Sequence, residues 1–300
     1  MLLIAGGFAW GPRQQFAHVG DFHLASGEVI VDAVLGYRTA GELNASRSNA
    51  VLLLPWFLGR TGQMARQNGP GKLVDTSTYF VITVDTFGNG VSSSPSTSAR
   101  QPEEKFPAFT IADLVESQYL LVTRTLQLAR LHAVVGISMG GMQALQWTTA
   151  HPQFMDKAVS IVGSPQSQPD DQQRWRDGIE WLQAPPSTRA KLLLSRWKPR
   201  AALNELRIEP YDYVRQAQAI MAHDITQPFG GSMERAAAAI RAELLVVSTW
   251  QDREVNPRPA FDLARIARAE VLELDGRCGH QAPSCERAVL WPAVARFLAR

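Results

Sequence analysis

Gly136-Ile137-Ser138-Met139-Gly140 sets a serine between two glycines, with the apolar run Ala133 to Ile137 before it and a helix-forming stretch, Met139 to Ala150, after it. A strand that turns abruptly into a helix forces the corner residue into a strained backbone conformation, and its crowded neighbours must be small. The corner lifts the serine oxygen clear of the strand. It also sets that oxygen above a helix N-terminus, whose dipole favours developing negative charge. A serine so presented suits nucleophilic attack on a carbonyl.

A hydroxyl becomes a useful nucleophile only when a base takes its proton, and an imidazole base needs a carboxylate to hold its tautomer. Of the six histidines, His18, His23 and His132 precede Ser138, His151 ends the helix behind it, and His223 lies in a long stretch without strand signal. His280 alone follows the last strand, in the Gly-rich loop Asp275-Gly276-Arg277-Cys278-Gly279-His280, and is the expected base. Asp252, in the loop after Leu244 to Ser248, is the expected acid, with Glu254 and Asp275 as competing carboxylates. The oxyanion donors are expected at the amide of Met139 and in the loop Pro55-Trp56-Phe57-Leu58-Gly59, where distance from the strand end favours Phe57 over Trp56. Trp56, Trp175 and Trp181 are the expected lining of a substrate pocket.

Such side chains need a sheet to carry them. Phe16 to Leu24 and Val29 to Tyr37, joined by Ala25-Ser26-Gly27-Glu28, read as an edge hairpin. Ala50 to Leu54, Tyr79 to Val84, Ala133 to Ile137, Ala158 to Val162, Leu244 to Ser248 and Val271 to Leu274 are short and nearly continuously apolar, as strands covered on both faces must be. Helical patterns alternate with them: Thr110 to Arg130, Met139 to Ala150, Ala260 to Ala267 and Ala288 to Leu298. This predicts an α/β architecture, a mostly parallel eight-stranded sheet with helices on both faces. The strand-free region 164–241 opens with a polar loop, Gln166 to Asp171, then shows helical patterns holding Trp175, Trp181, Trp197, Tyr211 and Tyr213. It reads as a helical cap inserted into a catalytic domain made of 1–163 and 242–300.

Composition narrows the partners. The chain has 300 residues, 45% apolar and 19% charged, enough for one large core, and its formal charge of +2 comes from scattered Lys and Arg residues. That pattern argues against nucleic acid and anionic membrane surfaces. No His spacing suits a metal, and no cofactor motif is present. Cys278 and Cys285, the two cysteines, read more readily as a reduced pair than as a bonded one, with a single bond between them as the open alternative. Met1 to Trp10 is apolar without a basic leader, so a cytoplasmic enzyme is expected, with an exported form carrying a truncated signal sequence as the other option. No run approaches the ~18 apolar residues of a membrane span.

The chain resembles the homoserine O-acetyltransferase family of α/β-hydrolases. The resemblance rests on Ser26-Gly27-Glu28, Tyr37-Arg38-Thr39-Ala40-Gly41-Glu42-Leu43-Asn44, Ser48-Asn49-Ala50-Val51, Gly69-Pro70-Gly71-Lys72, Tyr79-Phe80-Val81-Ile82 and Ser138 to Trp147. It implies the α/β-hydrolase fold, with the family's triad at Ser138, Asp252 and His280 and its oxyanion donors at Met139 and Phe57. The family's Trp-Gly-Gly-Tyr type segment is missing between Ser164 and Arg241. Phe87 to Ser96 and Asp252 to Pro257 resemble a sister group described only as α/β-fold hydrolases. The expected reaction is therefore hydrolysis of a small ester or thioester through an acyl-serine, with O-acyl transfer from acyl-CoA to an alcohol as the alternative. A homodimer is left open.

Overall fold

The computed structural model describes residues 13–184 and 209–300. The apolar runs become β1 Gln15–His23, β2 Val29–Ala40, β3 Ala50–Leu54, β4 Phe80–Val84, β5 Leu131–Ile137, β6 Met155–Ile161, β7 Glu243–Ser248 and β8 Glu270–Glu273. They form one eight-stranded sheet in the order β1-β2-β4-β3-β5-β6-β7-β8. β1 and β2 make the expected antiparallel hairpin and β2 pairs antiparallel with β4, whereas every pairing from β4 to β8 is parallel.

Strand alternation sorts the apolar side chains into two layers. Leu52, Leu54, Val134, Ala158, Leu244 and Val246 face one core, packed with residues of α2 Ile111–Leu120, α3 Met139–Ala150, α6 Met233–Ala239 and α7 Arg258–Ala267. Val51, Leu53, Ala133, Val135, Val159, Leu245 and Val247 face the other, beneath Leu290, Val294 and Phe297 of α9 Arg287–Ala299. The same layer takes in Met64 of α1 Thr61–Met64 and Ala282 of α8 Ala282–Cys285. Both faces are thus covered, as the continuous apolar runs require.

Between β6 and β7 the chain forms α4 Pro169–Gln183 and α5 Pro210–Met221, which pack together, followed by α6. Ile220, Ile225, Ala236 and Ala237 join the main core, while Leu182, Tyr213 and Ala217 form a small cluster with Phe57, Leu58, Trp175, Ile179 and Trp181. Trp197 and the apolar run Met1 to Trp10 lie outside the described residues. No helix among the described residues is long and apolar enough to cross a membrane.

Three expectations change. The helix expected over Thr110 to Arg130 is regular only as far as Leu120, with Thr110 and Asp113 capping its start reciprocally. One wider turn follows, Leu121–Thr125, where the Thr123 hydroxyl donates to the Tyr119 carbonyl and competes with the helical pattern. The expected loop Gln166 to Asp171 is shortened because Pro169, with φ already suited to a first helical position, starts α4. Finally, Cys278 and Cys285 are not a reduced pair but a disulfide. The loop after β8 doubles back through a single 3-10 turn into α8, which brings their Cα atoms to 6.5 Å across a separation of seven residues.

Candidate active site

Ser138 sits at the end of β5 with φ +57 and ψ −117, outside the regions open to most side chains. Packing holds it there. Its amide donates to Ile161 O at 2.8 Å, and the turn leaves no space beside it: a Cβ on Gly136 would lie 1.9 Å from Gly140 O. The amide of Met139, first residue of α3, has no acceptor within the helix and points toward the serine end of the turn by the geometry of any helix N-terminus.

His280 Nε2 accepts from the Ser138 hydroxyl at 2.8 Å, and its Nδ1–H donates to Asp252 Oδ2 at 2.7 Å. The carboxylate is buried, and its other oxygen accepts from the amides of Glu254 at 2.8 Å and Val255 at 2.9 Å. Three chain segments, at the ends of β5, β7 and β8, therefore converge on one hydrogen-bonded row. Glu254 and Asp275, the competing carboxylates, are exposed, and it is Asp252 that accepts the hydrogen bond from His280. Burial works against a charged imidazole here, but the hydrogen bond and charge of Asp252, followed by the charges of Glu254 and Asp171, outweigh it. The net effect holds the His280 pKa above the ordinary imidazole value.

Asp171 was not singled out by sequence reasoning. It is buried on α4, accepts from the amide of Asn256 at 3.1 Å, and pairs with Arg174, which itself donates to Glu254 O at 3.1 Å. Burial raises its pKa against the lowering effect of these partners. Helix α4 is thereby pinned to the loop that carries Asp252. An acidic residue in a polar stretch of sequence carries no signal of such a role.

The loop after β3 lies against the elbow, since a Cβ on Gly140 would meet Leu54 O at 2.3 Å and Pro55 O at 2.8 Å. Phe57 turns toward the inserted helices, with ring centroids 4.7 Å from Trp175 and 4.9 Å from Tyr213. Trp175 and Trp181 pack against that cluster. Trp56 does not join it: it packs against the opposite core layer, the one that holds Val51, Leu53 and Leu290. His223 is buried and donates through Nε2 to Ser164 O at 3.0 Å rather than to any member of this row. His151 caps the end of α3, as its position predicts.

Comparison with known proteins bears on the fold and on the group this chain resembles. A family model described as alpha/beta hydrolase fold matches residues 49–184. A protein named as a probable esterase of Corynebacterium glutamicum is 37% identical over 164 residues, covering 54% of this chain and 47% of that protein. A homoserine O-acetyltransferase of Methanobrevibacter ruminantium is 38% identical over 171 residues, covering 51% of this chain and 35% of that protein. The chain thus matches between about a third and a half of the length of these relatives. Among solved structures, an acetylester hydrolase from Corynebacterium glutamicum superposes with a TM-score of 0.87 at 23% identity, covering 96% of both chains. At that identity the likeness speaks for the fold alone. The chain has the α/β-hydrolase fold and resembles proteins named as esterases and as homoserine O-acetyltransferases.

Proposed function

We propose that this chain is a serine-dependent acyl-transfer enzyme that hydrolyses a small carboxylic ester or thioester through an acyl-Ser138 intermediate. The observation that carries the reading is the row Ser138, His280 and Asp252, with successive contacts of 2.8 and 2.7 Å on a strained elbow. In the first half-reaction the Ser138 oxygen attacks the substrate carbonyl while His280 Nε2 takes its proton. Asp252 stays ionised and holds the resulting imidazolium. The tetrahedral oxyanion is met by the amides of Met139 and Phe57; the amides of the next two residues, Leu58 and Gly59, are already bonded to Gln216 and to Trp56 O. His280 then gives the proton to the leaving alcohol or thiol. In the second half-reaction it activates water, whose attack releases the acid and restores Ser138.

Water rather than an alcohol is favoured as second nucleophile because the wall beside Phe57 is aromatic, built from Trp175, Trp181 and Tyr213. An amino-acid acceptor needs convergent charged groups and a dry acyl-enzyme. The alternative, O-acyl transfer from acyl-CoA, is supported by the relatives named homoserine O-acetyltransferases. Within 164–241, α4 and α5 serve in either case as the helical cap beside Phe57, whereas α6 belongs to the core layer against the sheet. A homodimer is compatible with both readings. The Cys278–Cys285 bond persists in an oxidising compartment and is reduced in the cytosol, so it opposes the cytoplasmic placement expected from sequence. The deciding experiment is product partitioning. With acetyl-CoA as donor and millimolar homoserine present, free acetate should accumulate faster than O-acetylhomoserine; the reverse order would establish transfer instead.

A further inference from the structure

Gln216 is fully buried on α5, yet none of its three polar contacts is to its own helix. Its Oε1 accepts from the amide of Leu58 at 2.7 Å, across 158 residues of sequence. Its Nε2 donates to Phe87 O at 2.9 Å and to Thr86 Oγ1 at 3.0 Å, in the loop after β4. One side chain therefore ties the inserted helix, the loop after β3 and the loop after β4 together, with its amide fixed in one orientation by donors and acceptors on both sides.

The loop it grips is strained. Leu58, a branched residue, has φ +53, in the left-handed region that glycine normally occupies, and such a conformation persists only where surroundings impose it. The bond from Leu58 N to Gln216 is the tie that the structure provides at that residue, while Gly59 N closes a turn on Trp56 O at 2.8 Å. Between these two ties stands Phe57, whose ring is wedged against Trp175 and Tyr213 of the same inserted helices.

We propose that Gln216 is a positioning residue for the oxyanion hole: by holding Leu58 in the left-handed conformation, it aims the preceding Phe57 amide at the place where a substrate oxyanion forms. The inference rests on the proposed acyl-Ser138 chemistry and adds that the inserted helix α5 completes the machinery from a distance. An oxyanion donor matters more to the transition state than to bound substrate. Loss of Gln216 should accordingly appear in kcat and leave KM nearly unmoved.

The test compares Gln216→Leu, which removes all three bonds at similar size, with Gln216→Glu, which keeps an acceptor for Leu58 N. Folding is checked by circular dichroism, and each variant is assayed for ester turnover and for binding of a trifluoromethyl ketone as tetrahedral analogue. Expected for Gln216→Leu is a kcat loss of about 10- to 100-fold, with KM within about threefold and analogue affinity falling in parallel with kcat. Gln216→Glu should lose less. The inference is overturned by a folded Gln216→Leu with wild-type kcat, or by equal losses in KM and kcat with unchanged analogue affinity. Should Gln216→Leu fail to fold, Thr86→Val carries the test through the weaker tie: a kcat-confined loss of about threefold or more supports the inference, and none overturns it. Ser138→Ala is the control. If its turnover equals wild type, the proposed chemistry fails and this inference with it; if turnover needs Ser138 but not Gln216, this inference alone fails.

Discussion

Asp252 divides its two carboxylate oxygens between His280 Nδ1, at 2.7 Å, and the backbone amides of Glu254 and Val255. The amides fix the carboxylate from behind, so the imidazole is held by an acid that cannot swing. Asp252→Asn keeps the shape and presents the wrong hydrogen-bonding partner to Nδ1. A kcat loss of the order of 10²–10⁴ is expected, with the fold intact. If Asp252→Asn were active and Glu254→Gln crippled, the acid would have to be reassigned.

The pH dependence follows from the same contact. His280 acts as a base only when neutral, and its pKa is held above the ordinary value of 6.5, with Asp252 the strongest of the groups that raise it. Activity should therefore fall, as pH is lowered, through an acid limb centred above 6.5. Asp171→Asn removes one of the charges that raise it and should move the limb downward, measured as kcat/KM against pH. A limb that stays in place would show that Asp171 does not act on the imidazole.

Stability should respond to pH through a different histidine. Burial depresses the His223 pKa from 6.5 to about 4, against the smaller opposing effects of the Ser164 carbonyl and Asp224. The unfolded chain therefore binds the proton first. The contribution is fully present above pH 6.5 and is lost as pH falls from 6.5 toward 4, and its size is of the order of 3 kcal/mol. Urea unfolding at successive pH values should show this slope, flattened in His223→Asn; an equal slope in the variant would contradict the assignment.

The disulfide predicts a coupling between redox state and catalysis. Cys278 and Cys285 bracket His280, so the bond closes the loop that carries the base. Loop-closure entropy for a ring of this size corresponds to about 2–3 kcal/mol. Cys278→Ser with Cys285→Ser should lose roughly that much stability in chemical unfolding and should also lower kcat. Full activity in the double variant would show that packing alone places His280.

The elbow gives the sharpest steric prediction. A methyl at Gly136 would lie 1.9 Å from a backbone carbonyl, which no side-chain adjustment relieves. Gly136→Ala should abolish turnover and lower the unfolding midpoint. A well-folded, active Gly136→Ala would mean that the strand-to-helix corner differs from the one described.

Much of this was legible in sequence because it depends on local order. Every expected strand forms, since runs such as Ala50–Leu54 must be buried on both faces and admit few other solutions. The row of Ser138, Asp252 and His280 was readable because each stands in a loop at the end of its own strand, and parallel strands bring those ends to one side. The features that escaped depend on long-range packing. Gln216 and Leu58 are 158 residues apart, and Asp171 meets the Asn256 amide across 85. The disulfide escaped for another reason: spacing alone does not say how the chain between two cysteines folds back. Trp56 and Phe57 are adjacent and both aromatic, yet backbone direction sends their rings to opposite layers.

The central claim is that an acyl group is carried on Ser138, and covalent labelling tests it most directly. The protein is incubated with a fluorophosphonate, digested and examined by mass spectrometry, alongside Ser138→Ala. The account predicts one adduct, on the peptide containing Ser138, with none in Ser138→Ala and a turnover loss in that variant of the order of 10⁴ or more. An adduct on another serine, or Ser138→Ala turning over within tenfold of wild type, would contradict it.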